Sequence, residues 1–223
     1  MGTYLKYAEA LALLAKLADD SIASKDELTD LDAALGDGDL GRTVERGFRA
    51  VQTMLEGEAD AEVDLGKLFF KTGKTFSTAA ASSFGALLGT AFMKGGMTLR
   101  GKTEASAHDV IEAMQTALMA LMERGKANIG DKTMLDALNP AIEAMRAYLA
   151  DHEGDVSLAP CLRTGADAAQ AGAERTQTMQ SQIGRASWQG ARSVGSIDPG
   201  ARAVAIMLDS AARFFEGEHD SIG

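Results

Sequence analysis

Apolar residues recur along this chain at the spacing of a helix face. Tyr4, Tyr7, Leu11, Leu14 and Ala18 form one stripe, and the pattern returns at Val110, Met114, Ala117 and Leu121 and again at Ile142, Met145 and Leu149. Positions three and four apart lie on one side of a helix and mark the side that is buried. Alternating runs rich in Val, Ile and Thr, which would signal half-buried strands, do not occur. The pattern predicts an all-α protein.

Caps and glycines divide it. Ser24 followed by Glu27 has the form of a capping box, the stretch from Gly36 to Gly41 interrupts the periodicity, and Gly57, Gly101, Gly130 and Gly154 mark further breaks. About eight helices result, near residues 4–20, 25–35, 41–56, 64–77, 80–98, 104–124, 133–150 and 158–179, followed by a glycine-rich loop and a last helix near 199–216. Pro140 falls inside the seventh, where its missing N–H predicts a kink or a later start. The alanines from Ala166 to Ala173 predict close helix packing, and the methionines within helical patterns read as packing residues.

Composition narrows the function classes. A chain of 223 residues, 46% apolar and 24% charged, is expected to form one globular domain, residues 1–223. A net charge of -10 with no Lys/Arg run to offset it disfavours nucleic acid. It does not disfavour a nucleotide, because carboxylates take divalent cations that then attract polyphosphate. Cys161 is the only cysteine, which excludes an intramolecular disulfide and reads as a small buried thiol. Lys6, Glu9 and Lys16 interrupt what would be a signal-peptide core, and no segment reaches the ~20 apolar residues of a membrane span. A cytoplasmic location and no membrane association are expected.

The most informative segment is LDAALGDGDLGRTVERGF, residues 31–48. Asp32 ends a helix, and Asp37 and Asp39 follow in a turn where Gly36 and Gly38 permit a sharp fold, so three carboxylates meet at one joint. Such oxygens suit Mg2+, which is usually held by one or two carboxylates with phosphate oxygens and water. Gly41, Arg42 and Thr43 open the next helix, whose first N–H groups offer a phosphate a docking place. On spacing alone an Asp-Gly turn with solvated acids fits equally well. An EF-hand does not fit, because Arg42 stands where its glycine is needed and Phe48 where its bidentate Glu belongs. A P-loop is absent.

This segment resembles the signature of the dihydroxyacetone kinase L-subunit family, in which a helix-ending Asp precedes a G-D-x-D-x-G turn. The resemblance continues in TGKTFSTAAASSFGALLGTAF from Thr72, RGKANIGDKTMLDAL from Arg124 and GRASWQGARSVGSIDPGA from Gly184, and so spans nearly the whole chain. It implies a barrel of about eight antiparallel amphipathic helices with ADP or ATP at one rim, its phosphates bridged by two Mg2+ to Asp32, Asp37 and Asp39. Leu40, Gly41, Arg42 and Thr43 would follow the phosphates, with Ser82, Ser83 and Phe84 on the other side of the nucleotide. Gly125 and Met134 would border the base, with Thr133 also among the nucleotide contacts. Arg185, Asp198, Pro199 and Gly200 would form the covering loop, and Arg185 would be the catalytic residue.

Read without the resemblance, these later positions say less. Arg185 could be a surface ion-pair partner, which beside a phosphate becomes a stabiliser of transferring charge. Lys132 and Thr133 could cap a helix, and Trp188 is expected to pack its loop against the rest of the molecule. His108, His152 and His219 are scattered, unlike a metal cluster, and none is a candidate base. Two departures stand out. Leu40 occupies the place where relatives carry His, and Ser82-Ser83-Phe84-Gly85 replaces a glycine-richer stretch.

The leading reading is phosphoryl transfer to a short ketose. The resemblance implies a separate K-type subunit that holds the ketose, and as donor either free ATP or a phosphotransferase M-type protein recharging bound ADP. A second reading is a non-catalytic ADP-sensing regulatory subunit. A third is a helical shell around a lipid-like molecule.

Overall fold

A computed structural model of the chain describes residues 4–58, 63–152, 154 and 156–217; His219 lies outside them. Helices dominate: α1 (Tyr7–Ala23), α2 (Lys25–Leu35), α3 (Leu40–Glu56), α4 (Leu65–Ala79), α5 (Ser83–Thr98), α6 (Ala107–Gly125), α7 (Leu135–Ala150), α8 (Leu158–Arg175) and α9 (Pro199–Gly217). Two 3-10 turns, Thr176–Thr178 and Arg185–Ser193, lie between α8 and α9, the second where the sequence predicted only loop.

The all-α expectation needs one correction. Tyr4–Lys6 (β1) and Glu104–Ser106 (β2) pair as antiparallel strands with Leu5 opposite Ala105, both buried. Helices had been expected from residues 4 and 104. Instead, carboxylates three residues along fix the helix starts: Glu9 accepts the Lys6 N–H at 2.8 Å, and Asp109 accepts the Ser106 N–H at 2.9 Å. The residues ahead are left extended and satisfy each other's backbone groups.

Other boundaries differ for similar reasons. Ser82 caps α5 by accepting the Gly85 N–H, which moves its start from 80 to 83. Helix α8 ends at Arg175 rather than 179 because the buried Thr176 turns its hydroxyl to accept the Asp198 N–H at 2.8 Å. The Ser24 capping box is not formed. The Ser24 hydroxyl donates back to the Asp20 carbonyl, and Glu27 pairs with Arg202 on α9.

Neighbour order explains how the ends gather. Helix α1 packs on α3 and α9, and α3 on α4, α4 on α5, α5 on α6, α6 on α7, α7 on α8 and α8 on α9, while α2 lies against α3 and α9. Two apolar clusters fill the interior, bridged by Phe84, Phe92, Leu55 and Met207. Phe48 and Phe76 meet edge to face at 4.9 Å across α3 and α4. Cys161 is buried, and burial pushes its thiol up to about 11, as expected of a packing cysteine. Pro140 stays inside α7, and the close packing predicted for the alanine-rich stretch is seen where α8 lies on α7 and α9.

Candidate functional site

Asp32 lies in the last turn of α2, and Asp37 and Asp39 lie in the turn that leads to α3. One carboxylate oxygen from each falls within 4.8 Å of the others. Asp32 Oδ2 accepts the N–H groups of Asp39 at 2.8 Å and Leu40 at 3.0 Å, which places its charge at the positive end of α3. Those two amides are therefore engaged, and of the three expected to face a phosphate, at Gly41, Arg42 and Thr43, that of Thr43 donates to the Asp39 carbonyl at 3.0 Å.

The glycines serve the same cluster. A Cβ on Gly36 would stand 2.9 Å from Asp32 Oδ1, so the glycine leaves space beside that oxygen, and Gly38 has a φ of 69°, where a side chain is disfavoured. Three acceptor-only oxygens this close repel one another unless a cation lies among them, and hard oxygen donors fit Mg2+. Arg185 reaches Asp37 from far along the chain and forms an ion pair with it.

The cluster lies at the edge of a cavity of about 520 Å³. Asp32, Asp39 and Leu40 line one side, and Ser82, Ser83 and Phe84 at the start of α5 line another. Gly125, Thr133 and Met134 contribute from the α6–α7 junction, and Arg185, Asp198, Pro199 and Gly200 from the segment leading into α9. Gly41, Arg42 and Thr43 stand apart from this wall. Gly41 packs against the Lys25 carbonyl and Thr29 of α2, Thr43 is buried, and Arg42 is exposed. Leu40 and Phe84 both join the apolar packing beside the cavity, so its wall is greasy where a His would have been polar.

Sequence reasoning missed three contributors. Arg124 lines the cavity from the end of α6. Asp136 accepts the N–H groups of Gly130 at 2.6 Å and Thr133 at 2.8 Å, which shapes the GDKTM turn; the Thr-x-x-Asp spacing was the available signal. Lys132 is buried, not a helix cap, and its ammonium donates to the carbonyls of Met179 at 3.1 Å, Ser196 at 2.7 Å and Ser193. Beside it, burial pushes the Asp198 carboxyl up to about 7, opposed by the Ala201 amide, reinforced by Asp136 and opposed again by Lys132.

Trp188 does not pack its loop down as predicted; it is 86% exposed. The loop is held by backbone bonds and Lys132, and Gly184 and Gly190, at φ of 69° and 55°, turn the segment that carries the indole. His152 stacks on Tyr148 at 4.0 Å, away from the acidic cluster. A second cavity of about 220 Å³ lies inside the helices and is almost wholly apolar, lined by residues such as Leu13, Phe92, Met114, Leu138 and Val204. No helix among the described residues is long and apolar enough to cross a membrane.

Residues 34–213 match the family model of the DAK2 domain. The chain is 32% identical to the ADP-binding subunit DhaL of the PEP-dependent dihydroxyacetone kinase of Escherichia coli K12, over 89% of this chain and 92% of that protein. It is also 32% identical to the ADP-binding subunit DhaL of the PEP-dependent dihydroxyacetone kinase 2 of Listeria innocua, over 83% of this chain and 84% of that one. Among solved structures it resembles the dihydroxyacetone kinase of C. freundii, in native form and in complex with AMP-PNP and Mg2+, with a TM-score of 0.73 and 29% identity. That likeness covers 92% of this chain and 34% of the kinase, so the chain spans about a third of it.

Proposed function

The chain belongs to the DAK2-domain family, and from that premise we propose that it is the nucleotide-binding subunit of a dihydroxyacetone-type kinase. The observation that carries the reading is the cluster of Asp32, Asp37 and Asp39 at the edge of a large, partly polar cavity, with Arg185 facing it. The DhaL relatives are named for ADP binding, and the kinase of C. freundii was solved with AMP-PNP and Mg2+.

The three aspartates would hold two Mg2+, which neutralise phosphate charge when bound. The chain's own residues do the rest. Asp32, tied to two amides, keeps the acidic turn in register with α3. The first turn of α5, at Ser82, Ser83 and Phe84, offers partial positive charge to phosphate oxygens. Arg185 moves from Asp37 to the transferring group, where a planar guanidinium stabilises developing charge. Gly125, Thr133 and Met134 border the base, and Asp198, Pro199 and Gly200 close the remaining side. The closed order of helices supports a single-domain barrel with the nucleotide at one rim.

The acceptor in this reading is a short ketose held by a separate K-type subunit in the cytoplasm. The phosphate comes from free ATP or from an M-type phosphotransferase protein that recharges bound ADP. The purified chain, mixed with a K-type partner, Mg2+, ATP and candidate ketoses, should form a ketose phosphate. Tight ADP binding without transfer to any ketose, with any partner or donor, would contradict the enzymatic reading and leave ADP sensing. The apolar cavity gives the lipid-shell reading a specific place, which organic extraction and mass spectrometry of the purified protein test.

A further inference from the structure

Lys132 is 2% exposed, among the largest fully buried side chains described. Its backbone lies at a φ of 63°, a left-handed conformation disfavoured for a residue with a Cβ. An ammonium so buried must satisfy its three donors within the protein. It does so on the carbonyls of Met179, Ser193 and Ser196, each 47 or more residues away in sequence.

Those carbonyls stand at the two ends of one loop, residues 179–196. Arg185 lies between them, on Asp37. Weaker ties cross the same base: the Ser181 N–H donates to Ser193 Oγ at 2.9 Å, the Gly195 N–H to the Gln177 carbonyl at 2.8 Å, and the Gln182 N–H to the Asp131 carbonyl at 3.1 Å. With Trp188 turned out to solvent, the loop has no aromatic anchor of its own.

We propose that Lys132 is a positioning residue for the nucleotide site: by drawing the two ends of the 179–196 loop onto one ammonium, it fixes where Arg185 stands and sets how long a nucleotide is retained. The retention clause rests on the nucleotide reading above; the anchoring does not. Removing the charge leaves three carbonyls at the loop base without their donor, so the strap loosens while the helices, held by apolar packing, persist.

The test compares wild type with Lys132→Met, a variant of similar length without donors. Trp188 is the only tryptophan and rides on the loop, so its fluorescence anisotropy reads loop mobility without any ligand. In the variant, helical circular dichroism should be kept, Trp188 anisotropy should fall, and trypsin should cut after Arg185 or Arg192 at least tenfold faster. Dissociation of Mg-ADP should speed at least tenfold while its association rate changes less than twofold. A folded variant with unchanged anisotropy and cutting overturns the anchoring, and a loosened loop with unchanged ADP dissociation overturns the retention. Wild type that binds no Mg-ADP contradicts the nucleotide reading, with the anchoring still measured by Trp188 and trypsin. Should Lys132→Met not fold, hydrogen exchange on wild type decides: slow exchange of the Ser181, Gln182 and Gly195 amides supports the anchor, and exchange at the rate of an open loop overturns it.

Discussion

Asp32 accepts two backbone N–H groups at the start of α3, whereas Asp37 meets the guanidinium of Arg185 at the surface. The two carboxylates should therefore separate on mutation. Asp32→Ala is expected to lower stability by about 1–2 kcal/mol, the scale of a lost helix cap, as measured by urea unfolding. Arg185→Ala should change stability by less than ~1 kcal/mol, because side chains 54% and 47% exposed form a solvent-screened pair, yet it should reduce phosphoryl transfer. Asp198 carries a pH signature. Its carboxyl is raised from 3.8 to about 7, so the folded chain holds that proton more tightly than the unfolded chain. Stability from this group is full below about pH 4 and is lost as pH rises towards 7. Asp198→Asn, neutral throughout and still able to accept the Ala201 N–H, should gain melting temperature relative to wild type between pH 5 and pH 8; a difference independent of pH would exclude the effect. The acidic turn was legible in the sequence because glycines beside aspartates announce both the fold of the backbone and the oxygens it presents. Lys132 was not, because a lone lysine after Gly-Asp reads as a surface cap until the loop it holds is folded around it.

Elements were legible where side chains three and four apart define a face, and α2 matches its expected limits at 25–35. Their ends were less so, since capping depends on which partner wins a side chain. Glu27 went to Arg202 and the Ser24 hydroxyl to the Asp20 carbonyl, so α2 has no side-chain cap, while Ser106 and Asp109 formed a reciprocal box that the periodicity concealed. Pro140 shows packing accommodating a local defect. It withholds the N–H that the Asp136 carbonyl would receive, and Gly172 of α8 lies directly against that carbonyl and the proline ring. Gly172→Ala should force α7 and α8 apart and destabilise by about 1–3 kcal/mol in thermal unfolding. A neutral result would mean that the two helices can separate there without loss.

At the scale of the molecule, the cavity is made from the ends of six helices drawn from along the chain, α2, α3, α5, α6, α7 and α9, with the α6–α7 turn among them. Periodicity predicts each helix but not which ends converge; the expectation of a common rim came from the resemblance to a known family. The chain is acidic overall at -10, yet Arg124, Lys132 and Arg185 line the cavity together with Asp32, Asp39 and Asp198. Whether a nucleotide binds through cations on Asp32, Asp37 and Asp39 is decided by titration calorimetry with ADP, run with and without Mg2+ on wild type beside Asp37→Asn. Binding should depend on Mg2+ and weaken at least tenfold in the variant, whose helical content and melting temperature should match wild type. Equal affinity in the two proteins with Mg2+ present would contradict binding through those cations.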